Sequence, residues 1–253
     1  KTKILFLDTA HSRLKEMLEK ADCICVDGTR LEKDEIISAI SDFNGIIIRS
    51  RISIDKNFID KAVNLKFIGR VGSGMENIDV TYAETKGIKC FNSPEGNRDA
   101  VGEHALGMLL SLMNKITIAD TQIRQNVWER EENRGTEIKG KTIGIIGYGN
   151  TGGAFVRKLK GFEANVIAYD KYKQNFTCEF VKEAELKEIF LNADIISLHV
   201  PLTEETKYML DEHFINSCKK NIWLINTSRG PVVKTDDLVS AIKSGKVLGA
   251  ALD

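Results

Sequence analysis

The sequence has no excess of either charge, because 36 lysine and arginine residues are balanced by 36 aspartate and glutamate residues. A protein without a net field is not expected to attract nucleic acid or an anionic membrane. The sequence also lacks an apolar run long enough for a membrane span, and its start does not resemble a secretion signal. We therefore expect a cytoplasmic protein that binds neither nucleic acid nor membrane, with a small anionic substrate still possible through a local basic cluster.

Cysteines are few, and their spacing does not suggest pairs. The five cysteines are an odd number, and no two of them stand at the C-x-x-C spacing. Cys23 and Cys25 alternate with Ile24, which is typical of a strand rather than a metal site. We therefore expect reduced thiols and no bound metal ion.

What the sequence does contain is a glycine-rich turn, K-T-I-G-I-I-G-Y-G-N-T-G-G, at positions 141–153. Gly147 would allow a tight turn, Gly149 would let the backbone approach a phosphate, and Gly152 would let the next helix pack closely on the strand. A pyrophosphate would lie against the free N–H groups at the start of that helix. The predicted cofactor-binding residues of this turn are Gly147, Tyr148, Gly149, Asn150, Thr151 and Gly152. The alternative is a structural turn without a ligand.

A carboxylate follows this turn at the spacing that dinucleotide-binding folds use. Asp170 ends the apolar stretch Val166–Tyr169, eighteen residues after Gly152. A carboxylate in that place accepts hydrogen bonds from both ribose hydroxyls, and its charge repels the 2′-phosphate of NADP. NAD is therefore the predicted cofactor, although the nearby Lys171 and Lys173 leave some tolerance for NADP.

Short apolar stretches alternate with amphipathic ones along the chain, which is typical of parallel sheets covered by helices. The predicted fold class is α/β, with doubly wound parallel sheets. The length leaves one or two domains open. The segment N-S-P-E-G-N at 92–97 interrupts the alternation, so we place a domain boundary there, between residues 1–96 and 97–253.

The second part of the chain starts with the longest helical pattern. Apolar residues recur at steps of three and four from Val101 to Val127, which predicts one helix over 98–125. A helix with so wide an apolar face either links two domains or packs against another subunit. A further helix is predicted over Glu183–Phe190.

Arg229 stands just beyond the predicted strand Ile222–Asn226. A guanidinium held at a strand end beside a nicotinamide can bind a carboxylate through a bidentate contact or polarise a carbonyl. A surface salt bridge is an equally open interpretation of the same position.

Taken together, five segments resemble the D-isomer-specific 2-hydroxyacid dehydrogenase family, and most closely its phosphoglycerate dehydrogenase branch. The segments are G-R-V-G-S-G-M-E-N-I-D at 69–79, G-Y-G-N-T-G at 147–152, H-V-P-L-T at 199–203, N-T-S-R-G at 226–230 and L-G-A-A-L-D at 248–253. They occur in the order of the family and cover essentially the whole chain, so together they are far more specific than any one of them.

The resemblance implies two Rossmann-like domains with a cleft between them, the first for the substrate and the second for NAD. It implies hydride transfer between NAD and a small 2-hydroxy or 2-oxo acid, with 3-phosphoglycerate, the precursor in serine biosynthesis, as the first choice. Phosphoerythronate, glyoxylate, hydroxypyruvate, glycerate and D-lactate remain alternatives. It also implies a homodimer formed through the helix 98–125.

The resemblance assigns roles to individual residues. Arg229 matches the catalytic arginine, and the backbone amides of Ser73 and Gly74 match the cradle for the substrate carboxylate. Arg49 or Arg51 matches an element that contacts a substrate phosphate. Further cofactor contacts are implied for residues at later strand ends, namely His199, Val200, Pro201, Thr203, Thr227, Ser228 and Asp253.

The family also uses a glutamate and a histidine that exchange the hydroxyl proton. None of the four histidines, which are His11, His104, His199 and His213, matches that position. The counterparts should follow the element that ends at Asp253. We therefore expect that the sequence is a fragment without this pair.

Two other functions fit parts of the pattern. A short-chain dehydrogenase would use Y-x-x-x-K, but Tyr82–Lys86 precedes the glycine turn and Tyr169–Lys173 overlaps the ribose-binding strand. A non-enzymatic, NAD-sensing corepressor shares the motifs of the family, although the neutral charge argues mildly against it. NADH binding without turnover of any acid would favour the corepressor.

The missing pair leads to a first prediction. We expect the 253-residue chain to show no turnover of 2-hydroxy or 2-oxo acids, because it lacks the groups for the proton transfer. A form that continues past Asp253 should oxidise NADH with its substrate. Absorbance of NADH measures both forms, and comparable turnover by the two would contradict the expectation.

Overall fold

The computed structural model describes residues 1–253 and divides into two compact units, Lys1–Asn97 and Arg98–Asp253. The division falls at the end of the N-S-P-E-G-N segment. Each unit is built on one sheet whose named strands are all parallel, so the predicted α/β class is confirmed. None of the helices combines the length and the apolarity that a membrane span requires.

The N-terminal unit, Lys1–Asn97, contains five strands and four α-helices. The strands are β1 Lys3–Phe6, β2 Ile24–Asp27, β3 Gly45–Ile48, β4 Phe67–Arg70 and β5 Lys89–Phe91. The helices are α1 Ser12–Lys20, α2 Lys33–Ala39, α3 Lys56–Lys61 and α4 Val80–Thr85. The strand order is β2-β1-β3-β4-β5. All four residues of β3 are buried, as expected for a central strand covered on both faces.

Two helices of this unit, α3 and α4, begin where a short polar side chain satisfies one of the first free N–H groups. Asp55 accepts a hydrogen bond from the amide of Phe58, and Asp79 accepts one from the amide of Tyr82. These caps fix the starts of α3 at Lys56 and of α4 at Val80.

The C-terminal unit, Arg98–Asp253, contains six strands and six α-helices. The strands are β6 Thr142–Ile146, β7 Asn165–Tyr169, β8 Lys182–Glu183, β9 Ile195–Leu198, β10 Ile222–Asn226 and β11 Val247–Leu252. The helices are α5 Arg98–Met113, α6 Ile116–Arg124, α7 Asn150–Lys158, α8 Leu186–Asn192, α9 Glu212–Ser217 and α10 Thr235–Lys243. The strand order is β11-β10-β9-β6-β7-β8.

The predicted single helix over 98–125 is wrong. Helix α5 ends at Met113, and Lys115 adopts a left-handed backbone with φ +53° before α6 begins. The amide of Thr136 donates to the carbonyl oxygen of Met113 at 2.9 Å and takes an acceptor that a continuous helix would use itself. Apolar periodicity runs through this break, because the two shorter helices each keep an apolar face.

The helix predicted over Glu183–Phe190 starts later than expected. Lys182 and Glu183 form β8 beside β7, and the helix begins at Leu186. A capping box decides the boundary: the Glu188 carboxylate accepts from the amide of Glu185, which is the N-cap. Propensity favours a helix for this acidic segment, but strand pairing and the cap set its start.

Candidate functional site

The strands of the C-terminal unit end in a common row, which brings their following residues to one edge of the sheet. Ile146 pairs with Leu198 and Tyr169, Leu198 pairs with Asn226, and Asn226 pairs with Leu252. The next residue along each strand therefore lies just beyond this row. These residues are Gly147, Asp170, His199, Thr227 and Asp253, all of which the sequence analysis selected. Parallel α/β sheets bind ligands at this edge.

The glycine turn after β6 has the backbone that a phosphate cradle needs. Gly147 has φ +94°, and a side-chain carbon there would lie 2.4 Å from the carbonyl oxygen of His199. A side-chain carbon at Gly152 would lie 2.1 Å from the carbonyl oxygen of Gly147. At Gly149, by contrast, such a carbon would meet nothing within 4 Å. Two glycines therefore close the turn, and the third leaves open space beside it.

Helix α7 begins at this open space. Its N-cap is Gly149, which has no side chain to cap the helix, so the N–H groups of the first turn are left for a ligand. The positive end of the helix dipole adds to their attraction for an anion. This arrangement fits the pyrophosphate of a dinucleotide, and Asn150, Thr151 and Gly152 would supply the N–H groups.

Asp170 is held in place by the backbone around it. One carboxylate oxygen, Oδ2, accepts from the amide of Tyr148 at 2.8 Å. The other, Oδ1, accepts from the amides of Tyr172 and Lys173, both at 2.9 Å. A carboxylate has about four acceptor positions, so these bonds leave Oδ2 with the remaining one. Asp170 thus joins the turn after β6 to the turn after β7, and Oδ2 is the oxygen best able to accept from a ribose.

A pocket opens between the loops that follow β6, β7 and β9. Seven of the predicted cofactor-binding residues line it, namely Gly147, Gly149, Asp170, His199, Val200, Pro201 and Thr203. The sequence analysis missed four other lining residues, which are Leu186, Glu205, Thr206 and Met209. The apolar ones are ordinary members of amphipathic patterns, so the sequence contains no signal for them.

The imidazole of His199 is buried in the core, although the residue also contributes to the pocket wall. Its Nε2 lies 2.8 Å from Ser197 Oγ, its ring packs against Phe155, and its Nδ1 has no partner. Burial lowers the pKa of His199 to about 4. A neutral, enclosed ring cannot exchange protons with a bound acid, which agrees with the interpretation of His199 as lining rather than as a base.

The loop after β10 is organised by Asn226, a residue that the sequence analysis treated only as the end of a strand. Asn226 is buried; its Oδ1 accepts from the amide and hydroxyl of Ser228, and its Nδ2 donates to the carbonyl oxygen of Arg229 at 3.0 Å. Asparagine followed two residues later by serine is a turn signal that could have revealed this role. The amide of Asp253 donates to the carbonyl oxygen of Asn226 at 3.0 Å.

Arg229 itself is half-buried, and its Nη1 donates to the carbonyl oxygen of Ser228 at 2.7 Å. The hydroxyl of Thr227 is buried without a hydrogen-bond partner. Buried hydroxyls normally have partners, so this one marks a place where a ligand atom could bind. Thr227 and Ser228 were both predicted to contact the cofactor.

In the N-terminal unit, Ser73 and Gly74 lie in the loop after β4. Asn92 Nδ2 donates to the carbonyl oxygen of Ser73 at 2.7 Å, and Ser73 Oγ lies 3.1 Å from Asn97 Oδ1. The preceding Gly72 has φ +146°, which turns the chain. Neither amide donates to another backbone group. Successive amides in such a turn can bind a carboxylate.

Arg51, which the resemblance named beside Arg49 as a candidate phosphate contact, is engaged by the backbone. Its guanidinium donates to four carbonyl oxygens of the chain, those of Leu7, Gly28, Thr29 and Leu31. These bonds join the loops after β1 and β2 to the loop after β3. Arg51 is therefore a structural residue in this structure, and the exposed Arg49 is left as the candidate contact for a substrate phosphate.

The chain is similar to known proteins along nearly its whole length. Residues 106–253 match the sequence model of a family described as "D-isomer specific 2-hydroxyacid dehydrogenase, NAD binding domain". The chain is 34% identical over 246 residues to a hydroxypyruvate reductase of Thermotoga maritima, covering 97% of this chain and 80% of that protein. It is 36% identical over 256 residues to a D-3-phosphoglycerate dehydrogenase of Methanocaldococcus jannaschii, covering 99% of this chain and 48% of that protein.

A solved structure shows the same fold with a cofactor. An NAD-dependent formate dehydrogenase from Staphylococcus aureus in complex with NAD gives a TM-score of 0.83 at 27% identity, covering 100% of this chain and 81% of that one. Because the family model that matches residues 106–253 describes an NAD-binding domain, the cofactor predicted from the glycine turn and Asp170 is confirmed as NAD. The chain spans about half the length of the phosphoglycerate dehydrogenase that it matches, since the alignment covers 48% of that protein.

The open space at Gly149 leads to a prediction that separates binding from folding. Gly149→Ala should lower NADH affinity at least about ten-fold, because its methyl group would occupy the space next to the helix N–H groups. Its thermal stability should stay close to that of the unchanged chain. Titration of NADH fluorescence measures the affinity. Gly161→Ala is the matched control, since a side-chain carbon at Gly161 also meets nothing within 4 Å; equal affinity of the two variants would contradict the assignment.

The buried imidazole predicts a pH dependence of stability. The pKa of His199 is about 4 in the folded state and 6.5 in the unfolded chain, so the unfolded chain takes up the proton first as the pH falls. The free energy of unfolding is therefore not reduced by His199 above the pKa that this residue has in the unfolded chain. It should decrease by about 2 kcal/mol between about pH 7.5 and about pH 5.

Urea unfolding followed by tryptophan fluorescence tests this prediction, because both tryptophans, Trp128 and Trp223, lie in the C-terminal unit. His199→Gln should flatten the decline relative to the exposed-site control His213→Gln. Parallel declines in both variants would show that other groups cause the loss.

Proposed function

The chain belongs to the D-isomer-specific 2-hydroxyacid dehydrogenase family, whose NAD-binding domain forms most of its C-terminal unit, and we propose from this that it transfers a hydride between NAD and a small 2-hydroxy acid. One observation carries the proposal: the in-register row places the glycine turn, Asp170 and the loop of Arg229 at one edge of the same sheet. A dinucleotide site and an arginine for an acid are therefore parts of one rigid framework.

Different residues of the chain bind the cofactor and the acid. Amides at the start of α7 bind the pyrophosphate, and Asp170 orients the ribose. Bound NAD supplies the hydride acceptor. Arg229, held through its own carbonyl by Asn226, binds the acid and polarises the C2 oxygen, so that charge is stabilised where it develops during the reaction.

The substrate is proposed to carry a phosphate. The relatives named above differ in this feature, since hydroxypyruvate lacks the phosphate that 3-phosphoglycerate has. Arg49 follows β3 and Ser73 follows β4, and these strands are adjacent, with Ile48 paired to Arg70. Adjacent strands lie about 4.8 Å apart, so a three-carbon acid could reach the Ser73 and Gly74 amides with its carboxylate and Arg49 with its phosphate. We therefore favour 3-phosphoglycerate over the alternatives.

The partner is proposed to be a second copy of the chain. Helix α6 exposes Ile116, Ile118 and Ile123, each more than half exposed. An apolar surface of this kind is typical of a subunit interface. The break at Lys115 changes the interface from one long helix to α6 and the end of α5. A homodimer in the cytoplasm, where the five cysteines would stay reduced, fits this composition.

NADH oxidation with phosphohydroxypyruvate and with hydroxypyruvate tests both levels of the proposal. The assay uses a form that continues past residue 253. Arg229→Lys should reduce kcat/KM for either acid at least about 100-fold, because a lysine cannot reproduce the planar, bidentate contact of the guanidinium with the acid. The NADH dissociation constant should remain unchanged. Full activity of this variant would exclude the proposed role, and binding of NADH without turnover of any acid would favour a corepressor.

Arg49 separates the substrates. Arg49→Met should raise KM for phosphohydroxypyruvate about ten-fold or more, through loss of a charged hydrogen bond, and leave KM for hydroxypyruvate unchanged. Arg13→Met on α1 is the control, since Arg13 is also an exposed arginine of the N-terminal unit. An equal effect on both acids, or none on either, would remove the phosphoglycerate assignment.

A further inference from the structure

We propose that Glu205 is a specificity-determining residue for the cofactor, because it forms an ion pair with Lys171, which would otherwise bind the 2′-phosphate of NADP. The inference rests on the proposed position of the adenosine ribose beside Asp170. It extends the preference for NAD from the carboxylate of Asp170 to a pair of charged residues that line the same pocket.

The contact that carries the proposal lies on the wall of this pocket. Asp170, Lys171 and Glu205 all line it. The ammonium group of Lys171 lies 2.5 Å from Glu205 Oε2, so the ion pair joins the loop after β7 to the loop after β9. Lys171 is also the residue next to Asp170. A cation at that position is well placed for a phosphate on the ribose 2′ oxygen, which is how related folds accept NADP.

The carboxylate of Glu205 is presented by an ordered turn. Thr206 Oγ1 donates to the carbonyl oxygen of Pro201 at 2.6 Å, and the amide of Thr203 donates to Thr206 Oγ1 at 2.8 Å. These bonds hold Thr203 and Thr206, which flank the pair Glu204 and Glu205. The acid is therefore kept near Lys171 by the local fold, which lowers the entropy lost on forming an exposed ion pair.

The second lysine near the ribose is engaged as well. The ammonium group of Lys173 lies 4.6 Å from the ring centre of Tyr148, and this ring stacks on Phe176 with the ring centres 4.5 Å apart. Cations in this position are attracted by the face of the ring. The two lysines that left tolerance for NADP in the sequence are thus both directed to other groups in the structure.

Glu205 would act on NADP by neutralising Lys171, so that this lysine attracts a 2′-phosphate less strongly. The ion pair is exposed to solvent, so the effect is modest and Asp170 remains the larger determinant. NAD has no charge at the 2′ oxygen and should be almost insensitive to the pair.

The test measures dissociation constants of NADH and NADPH for the 253-residue chain by cofactor fluorescence. In Glu205→Gln the ratio of the NADPH constant to the NADH constant should fall about five-fold, the size expected for one exposed charge contact. In Glu204→Gln, which removes the neighbouring exposed acid, the ratio should change less than about two-fold. The double variant Glu205→Gln with Lys171→Met should return the ratio to the original value or above.

The outcomes distinguish the possible failures. Equal ratios in Glu205→Gln and Glu204→Gln, with NADH affinity intact, would overturn the role of Glu205. A fall that persists in the double variant would show that the charge of Glu205 acts without Lys171, which also overturns the proposed pairing. If Asp170→Ala left NADH affinity unchanged, the ribose would not lie beside Asp170, and the proposed cofactor site itself would fail.

Discussion

The close backbone contact inside the glycine turn is the constraint on which the rest of the cofactor edge depends. A side-chain carbon at Gly152 would lie 2.1 Å from the carbonyl oxygen of Gly147, and one at Gly147 would lie 2.4 Å from that of His199. No side chain fits at either distance. Because both positions are glycine, β6, β9 and the start of α7 approach one another closely enough for their ends to form one surface.

Polar side chains hold the loops at both sheets. Asp170 binds three backbone amides, and Asn226 binds a hydroxyl, an amide and a carbonyl. In the N-terminal unit, Asp8 accepts from the amide of Arg49 at 2.6 Å. Side chains of this kind satisfy backbone groups that leave a strand without a partner. The loops that carry the candidate contacts are therefore positioned before any ligand binds, which lowers the entropy cost of binding.

Not every cationic side chain near a candidate anion site is available to bind a ligand. Arg51, Lys171 and Lys173 all stand where an anion could be expected from sequence, yet each is directed to other protein groups. Arg51 satisfies carbonyl oxygens, Lys171 pairs with an acid and Lys173 lies over an aromatic ring. Selectivity against an extra phosphate can therefore come from engaging cations as well as from placing an acid.

Much of this protein follows from local pattern alone. The glycine spacing, the strand before it and the acid after it determine a dinucleotide turn, since only glycine tolerates those backbone approaches. Alternating apolar stretches determine the α/β class and nearly every strand, because buried parallel strands must be apolar on both faces. The ordered motifs predicted the family and the cofactor, and the positions of Asp170 and Asp253 at strand ends followed from the lengths of the apolar runs.

Other features were decided only by the tertiary structure, because they depend on partners distant in sequence. Periodicity could not reveal the break at Lys115, where Thr136 takes the carbonyl oxygen of Met113. It could not tell Arg49 from Arg51, which differ in the carbonyl groups that surround them. The burial of His199 and the pairing of Lys171 with Glu205 arise where separate loops meet at one sheet edge. Residue type sets what a side chain can do, and its neighbours in the folded chain determine whether it is free to do it.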